Sequence, residues 1–174
     1  MANAAGYWFT GGDQMRITQV MLGPDGEESP LLQQVRARLA AGAVVGGSSA
    51  GAAVMSRDMI AGGVSFTALL EPLASAYSDS EDQDSGRLYL SRGLGFLPNG
   101  IVDQHFVARG RHNRLISVVL EHPELLGVGV DEATAERLAA AELLVVQDVF
   151  PSPLMERADY QLPSAAFAER EGSY

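Results

Sequence analysis

The chain has 174 residues, 12 basic and 22 acidic side chains, a formal net charge of −10 and no cysteine. A hydrophobic content of 47% is enough for a buried core, and the length suits one domain or a domain with a small appendage. The acidic balance argues against a general nucleic-acid binder, because such proteins need cationic groups to meet phosphates. The sequence contains no apolar run long enough to span a membrane and no secretory signal, so we expect a cytoplasmic protein. The lack of cysteine excludes a disulfide scaffold, a Cys-ligated zinc and a cysteine nucleophile.

Short apolar runs alternate with helical patterns, which is typical of an α/β fold with a mainly parallel sheet and flanking helices. Strands are predicted at 7–9, 43–46, 101–102, 126–130 and 143–146. Helices are predicted at 15–22, from Pro30 to a stop at Gly42, at 50–56, 113–121 and 133–141. A turn is expected at 23–26, an acidic loop at 75–85, and an irregular tail from Pro151 onward.

The most informative segment is the strand 43–46 followed by Gly47-x-Ser49-x-Gly51 and a helix of small residues. A serine at a tight strand-to-helix turn is held exposed above the sheet, and its neighbours must be small because the backbone crowds there. The helix that follows offers backbone N–H donors for an oxyanion. From the pattern alone two interpretations stay open: a nucleophilic serine, or a Gly/Ser-rich turn that is structural or binds an anion.

Candidate partners for Ser49 follow two later strands. His105 comes just after 101–102, and Asp131 and Glu132 follow 126–130. The carboxyl ends of strands are where open α/β sheets form their sites. The order Ser, His, acid differs from the Ser, acid, His order of the α/β-hydrolases, so an esterase of that fold is the weaker interpretation.

Four motifs occur in an order that closely resembles the cyanophycinases, which are serine exopeptidases related to the aspartyl dipeptidase peptidase E. The motifs are Gly11-Gly12-Asp13-Gln14, Gly47-Ser48-Ser49-Ala50-Gly51-Ala52, Asp103-Gln104-His105-Phe106 and Gly129-Val130-Asp131-Glu132-Ala133-Thr134-Ala135. The resemblance covers residues 6–138. It implies a class I glutamine amidotransferase-like (flavodoxin-like) architecture, incomplete in this chain, and no metal or organic cofactor.

The resemblance also implies the catalytic residues. Ser49 would be the nucleophile, His105 the general base and Glu132 the acid that orients the imidazole, with Asp131 the less favoured third member. The expected oxyanion donors are the backbone N–H groups of Ala50 and Gly12.

The substrate of the family is cyanophycin, a poly-aspartate chain whose side chains carry arginine through isopeptide bonds, and the product is the β-aspartyl-arginine dipeptide. Such a substrate presents both guanidinium and carboxylate groups. Asp103 is then the expected guanidinium partner, and the complete set of candidate substrate-binding residues is Gln14, Asp103, Gln104, Arg109, Arg111 and Arg114. The alternative for the arginines is a structural role, in ion pairs with Asp103, Glu121 or Glu124. The acidic loop is expected to be a solvated surface rather than an attractor for the polymer.

The sequence departs from the family at both ends of the resemblance. The β/α units that precede the Gly11-Gly12 loop in the family do not precede it here, so we expect exposed apolar strand edges that a homodimer or a complementing chain covers, a rearranged sheet, or a fragment. After it, residues 142–174 resemble a stretch of molybdopterin oxidoreductase large subunits, from which no redox activity follows. We therefore expect a truncated peptidase domain at 1–141 and a C-terminal strand and tail of different origin at 142–174.

The sequence as a whole predicts a serine exopeptidase that hydrolyses cyanophycin through a Ser-His-Glu triad. Two alternatives remain. One is an inactive or partner-dependent truncated homologue without enzymatic function, and the other is an aspartyl dipeptidase like peptidase E. The expected partners are cyanophycin or an aspartyl peptide, without nucleic acid or membrane.

Overall fold

A computed structural model of the chain describes residues 4–71, 73 and 86–131, together with the strands at 145–148 and 160–163. The chain divides into two compact units, Met1–Asp131 and Glu132–Tyr174. The first unit contains, in chain order, β1 (Gly6–Phe9), α1 (Gln14–Met21), α2 (Pro30–Ala40), β2 (Val44–Gly47), α3 (Ala50–Ala53), β3 (Asp58–Gly62), α4 (Thr67–Leu70), β4 (Tyr89–Arg92), β5 (Gly100–Asp103), α5 (His112–Glu121) and β6 (Leu126–Gly129). The described part of the second unit consists of β7 (Val145–Asp148) and β8 (Tyr160–Pro163).

The described strands form pairs, and most of the pairs are parallel. β1 pairs with β2, β5 with β6 and β7 with β8 in parallel, whereas β3 and β4 are antiparallel. Parallel strands with helices between them are the mark of an α/β protein. The predicted fold class is therefore confirmed.

The first two helices begin where their sequence signals place them. The Asp13 carboxylate accepts a hydrogen bond from the Met15 N–H at 2.8 Å and caps α1. Ser29 caps α2 by accepting from the Leu32 N–H at 3.2 Å, and Pro30 occupies the first turn, where a missing N–H costs nothing. Met15 and Ile17 of α1 are partly buried and pack against the core, and Leu32 of α2 is fully buried.

The core of the first unit consists of two clusters of buried apolar side chains. One joins β3, α4, β4, β5 and α5 and consists of Ile60, Ala68, Leu88, Leu90, Ile101, Leu115 and Val118. The other lies around β1, α2 and the segment after α3 and consists of Phe9, Leu32, Val54, Met59 and Leu94. These clusters fix the carboxyl ends of β2 and β5, where the candidate site residues lie.

Three sequence-based expectations differ from the structure. The strands β3 and β4 were not predicted, because each is only four or five residues long and lacks a β-branched or alternating pattern. The helix expected at 50–56 ends at Ala53, since the Val54 and Ser56 carbonyls accept from Leu94 and Gly95 instead of continuing a helix. The tail expected to be irregular contains β8. Its partner β7 (Val145–Asp148) overlaps the predicted strand 143–146 but is shifted by two residues toward the C-terminus.

Other expectations fall outside the described residues. These are the whole acidic loop 75–85 and the helix 133–141. The predicted division at 141 and 142 stays a prediction. None of the helices in the described ranges is long and apolar enough to cross a membrane.

Candidate active site

Ser49 lies in a sharp turn between β2 and α3. Its φ of 51° and ψ of −116° put a non-glycine residue in a region that costs about 1–3 kcal/mol. The turn is anchored to the end of β1, because the Ser48 N–H donates to the Phe9 carbonyl at 3.0 Å. This is the geometry of a nucleophile elbow, which holds a serine side chain out from the sheet.

The glycines that flank Ser49 are required by close backbone packing. A Cβ on Gly47 would collide with the backbone of Gly51, and a Cβ on Gly51 would collide with the Phe9 carbonyl. The Gly-x-Ser-x-Gly spacing therefore lets α3 begin directly against β1 and β2. The short pattern in the sequence has a physical cause in the structure.

The Ser49 hydroxyl is directly paired with His105. Ser49 Oγ and His105 Nε2 are 2.8 Å apart, which is within hydrogen-bond range. When the imidazole carries its proton on Nδ1, the serine hydroxyl donates to Nε2. In that state His105 can remove the serine proton, so the pair has the geometry of a nucleophile and its general base.

The loop after β1 approaches the nucleophile closely. A Cβ placed on Gly11 would lie 3.2 Å from Ser49 Cβ and 3.7 Å from its Oγ. The next residue, Gly12, has a φ of 134° and open space around its Cα. Ala50 is the first residue of α3, where backbone N–H groups have no partner within the helix. The predicted oxyanion donors thus belong to the two backbone segments that lie next to Ser49.

His105 is also in a left-handed backbone conformation, with a φ of 49°. It follows β5 directly, and the turn that carries it is tied to β6. The Phe106 N–H donates to the Val130 carbonyl at 3.1 Å, and the Val130 N–H donates to the Asp103 carbonyl at 2.9 Å. The β5–β6 pairing therefore extends past both strands and fixes the base of the histidine turn.

Asp103 and Arg114 form a buried ion pair beneath this turn. Arg114 Nε and Nη2 donate to the two Asp103 carboxylate oxygens at 3.0 and 2.7 Å, and its Nη1 donates to the Gly63 carbonyl at 2.7 Å. The two residues are 1% and 5% exposed. Asp103, predicted as the partner of a substrate guanidinium, thus has a guanidinium partner within the protein. The structural alternative for Arg114 is the one that this geometry supports.

The other predicted polar residues after β5 differ in exposure. Arg111 is partly buried, donates to the Gln104 carbonyl at 2.8 Å, and lies 3.8 Å from Asp103. Burial and the neighbouring Arg114 charge lower the pKa of Arg111, and Asp103 opposes that shift. Arg109 is exposed. The Gln104 Oε1 atom is buried and accepts no hydrogen bond within the described part of the chain.

Gln14 lies at the start of α1, on the wall of a polar pocket. Its Nε2 donates to the Ala61 carbonyl at 3.0 Å, and the pocket of about 430 Å³ also includes Gly12 and Tyr89 in its lining. Burial and the nearby Asp13 carboxylate raise the pKa of Tyr89, and the Arg114 charge opposes that shift. The pocket shares Gly12 with the loop beside Ser49.

The acid expected to orient His105 cannot be placed. Glu132 lies outside the described residues. Asp131 is the last described residue before it, and its carboxylate accepts hydrogen bonds from two backbone N–H groups in the turn after His105. The structure thus brings together Ser49, His105 and the Gly11-Gly12 loop, and the place of Glu132 stays a prediction.

The family model described as "Peptidase family S51" matches residues 2–145. The chain belongs to peptidase family S51. The resemblance that the four motifs indicate is confirmed by this match. The S51 match covers the elbow, the histidine turn and the acidic pair alike, so every predicted catalytic residue lies inside it.

Curated relatives of this S51 chain carry the name cyanophycinase. The present chain is 41% identical over 128 residues to the cyanophycinase of Geminocystis herdmanii, and the match covers 73% of this chain and 40% of the relative. It is 38% identical over 141 residues to that of Synechococcus elongatus, covering 80% and 38%, and 40% identical over 131 residues to that of Trichormus variabilis, covering 75% and 38%. The chain thus spans about two fifths of the length of these relatives.

The sequence reasoning missed the contribution of β3 and β4 to the site of this S51 chain. Ala61 and Gly63 supply carbonyl acceptors to Gln14 and Arg114, and Tyr89 lines the pocket. The sequence pattern does not reveal these acceptors, since every residue has a backbone carbonyl. The apolar run 88–90 is the feature of the sequence that could have indicated β4.

Proposed function

We propose that this chain is a serine exopeptidase of the cyanophycinase type. The observation that carries the proposal is the 2.8 Å pairing of Ser49 Oγ with His105 Nε2, in which both residues have positive φ angles. Strained backbone at two paired polar side chains is a feature of catalytic sites. The S51 membership and the relatives named cyanophycinase supply the reaction class and the substrate.

The reaction follows from the pairing of Ser49 with His105. His105 takes the hydroxyl proton as Ser49 Oγ attacks the carbonyl carbon, and the negative charge forms on the carbonyl oxygen. The N–H groups of Ala50 and Gly12 stabilise that oxyanion. His105 then protonates the leaving amine, which departs and leaves an acyl-enzyme, and water activated by His105 hydrolyses the ester. Glu132 is the proposed acid that orients the imidazole during both steps.

The proposed substrate-binding groups are those that the geometry leaves available. Arg109 is exposed and can pair with a substrate carboxylate. Gln14, Gln104 and Arg111 are the proposed polar surroundings of the substrate, and of these Gln104 is buried. Asp103 and Arg114 take a positioning role, because their buried charges already satisfy each other.

A second polypeptide is proposed to cover part of the first unit. Trp8 and Val44 are 67% and 71% exposed and lie on the same face of the β1–β2 pair, because Gly6 pairs with Val44 and Trp8 with Gly46. Exposed apolar strand faces of this kind favour association. The occupant is proposed to be another copy of the chain or a complementing chain, and the location to be the cytoplasm.

The test of the proposed function is product release from cyanophycin. The 174-residue chain is incubated with the polymer, and soluble products are identified by mass spectrometry. We expect the β-aspartyl-arginine dipeptide from the wild type and from Ser48→Ala, the matched control one residue away. Ser49→Ala should lower the rate by about 10⁴-fold or more, as for other serine triads.

Other outcomes of the same experiment point to the alternatives. Equal release by wild type and Ser49→Ala would overturn the proposal. Cleavage of aspartyl dipeptides without cleavage of cyanophycin would indicate a peptidase E-like enzyme. No product from the wild type on either substrate would indicate a partner-dependent or non-enzymatic protein.

A further inference from the structure

The carboxylate of Asp131 holds the turn that carries His105. One oxygen, Oδ2, accepts from the Val107 N–H at 2.6 Å and from the Ala108 N–H at 3.1 Å. Val107 and Ala108 are the second and third residues after His105. Asp131 itself comes two residues after the end of β6. The Asp131 side chain, just after β6, therefore binds two consecutive backbone N–H groups in the turn after β5. We call this pair of hydrogen bonds the clamp.

The turn needs such a clamp because sheet pairing ends just before it. The last inter-strand bond is the one from the Phe106 N–H to the Val130 carbonyl. Beyond it, residues 107–110 are exposed, and none of the strands in the described ranges pairs with them. The N–H groups of Arg109 and Gly110 donate within the turn, to the His105 and Val107 carbonyls at 3.0 Å. Those of Val107 and Ala108 are exposed and accessible to water, so the Asp131 bonds matter less for satisfying donors than for fixing one backbone path. That path includes the left-handed His105, whose φ of 49° is unfavourable in isolation.

We propose that Asp131 is a positioning residue for His105. By holding the amides of 107 and 108, its carboxylate keeps the imidazole at hydrogen-bond distance from Ser49. The proposal rests on the proposed function, because it assigns to Asp131 an effect on the serine–histidine reaction. It separates the roles within the adjacent acidic pair: Asp131 acts through the backbone, and Glu132 is left for the imidazole.

A clamp and a triad acid differ in what they require of the side chain. A clamp needs an acceptor oxygen, which the amide oxygen of Asn also provides at the same place. A triad acid needs a negative charge beside the imidazolium, which Asn lacks. Asp131→Asn and Asp131→Ala therefore distinguish the two roles, since only the first retains an acceptor.

The experiment has two arms. In the first, amide hydrogen exchange of the full chain is measured for Val107 and Ala108. We expect Asp131→Ala to speed their exchange by about tenfold, because the variant loses a charge-assisted hydrogen bond. Asp131→Asn should speed the exchange less, because an acceptor oxygen remains. Buried β5 amides should not change in either variant, which shows that both proteins fold. Asp25→Ala, at an exposed turn carboxylate far from the site in sequence, is the control.

In the second arm, kcat and KM are measured on cyanophycin. We expect Asp131→Ala to lower kcat by about 100-fold, the usual effect of a displaced catalytic group, with little change in KM. Asp131→Asn should remain within about fivefold of the wild type. Asp25→Ala should match the wild type in both parameters.

Each result decides something. Unchanged exchange at Val107 and Ala108 in Asp131→Ala would overturn the clamp, and so would an equal kcat loss in Asn and Ala variants, which would make Asp131 a charge-dependent acid. A wild type without turnover would overturn the proposed function alone, because the exchange arm still decides whether Asp131 holds the turn.

Discussion

At the scale of single residues, the site depends on two strained backbones that the surroundings hold in place. Ser49 and His105 both have φ angles near 50°. Because neither is a glycine, their orientation costs conformational free energy that the rest of the fold offsets. The sequence predicted which residue types would meet, because the elbow glycines and the motif order were visible. It left open whether Asp103 and Arg114 bind the substrate or pair with each other, since an ion pair and a substrate site have the same composition.

Strain at Ser49 predicts an unusual order of stability. Ser49→Gly should be more stable than Ser49→Ala by about 1 kcal/mol, because only glycine adopts a φ of 51° and ψ of −116° without steric cost. Urea unfolding of the two inactive variants measures the difference. A Gly variant that is no more stable than the Ala variant would show that the elbow is relaxed.

At the scale of elements, β5, α5 and the end of β3 are joined through one buried guanidinium. Arg114 on α5 reaches Asp103 at the end of β5 and the carbonyl of Gly63 after β3. The sequence predicted β5 and α5 within a residue or so of their ends, because both carry clear apolar patterns. It missed β3 and β4, whose short runs have no period and whose pairing depends on partners distant in the chain.

Breaking this buried pair should cost stability and not only substrate affinity. Asp103→Ala leaves the Arg114 charge buried and unpaired, so we expect a loss of about 3–5 kcal/mol in the free energy of unfolding. The double variant Asp103→Ala with Arg114→Met should lose less than the sum of the single losses. Denaturant unfolding of the four proteins gives the coupling. Additive losses, or a pure increase in KM at unchanged stability, would favour a substrate-binding role instead.

At the scale of the whole molecule, this family S51 chain brings Ser49 and His105 together in about two fifths of the length of its relatives. The pairing of Ser49 with His105 depends on two local turns, the elbow after β2 and the histidine turn after β5. The first unit exposes an apolar strand face at Trp8 and Val44. Such a face could be expected from the sequence comparison with the family, but its occupant depends on molecules that a single sequence does not contain.

Association through this face is testable with surface variants. Trp8→Ser with Val44→Ser should lower the mass measured by light scattering, because it removes the apolar area that favours contact. Phe66→Ser is the matched control, since Phe66 is equally exposed (72%) but lies just before α4, outside the β1–β2 pair. A wild type that is monomeric at every concentration would argue for a complementing chain rather than a second copy.

Activation of Ser49 by His105 underlies the proposed function. Labelling with a fluorophosphonate, followed by peptide mapping over time, measures this activation directly, because the probe reacts with an activated serine. We predict that the wild type is modified at Ser49 at least about 100-fold faster than at exposed Ser48, and that His105→Ala loses this preference. Equal labelling of the two serines, or a Ser49 rate that His105→Ala leaves unchanged, would contradict the account.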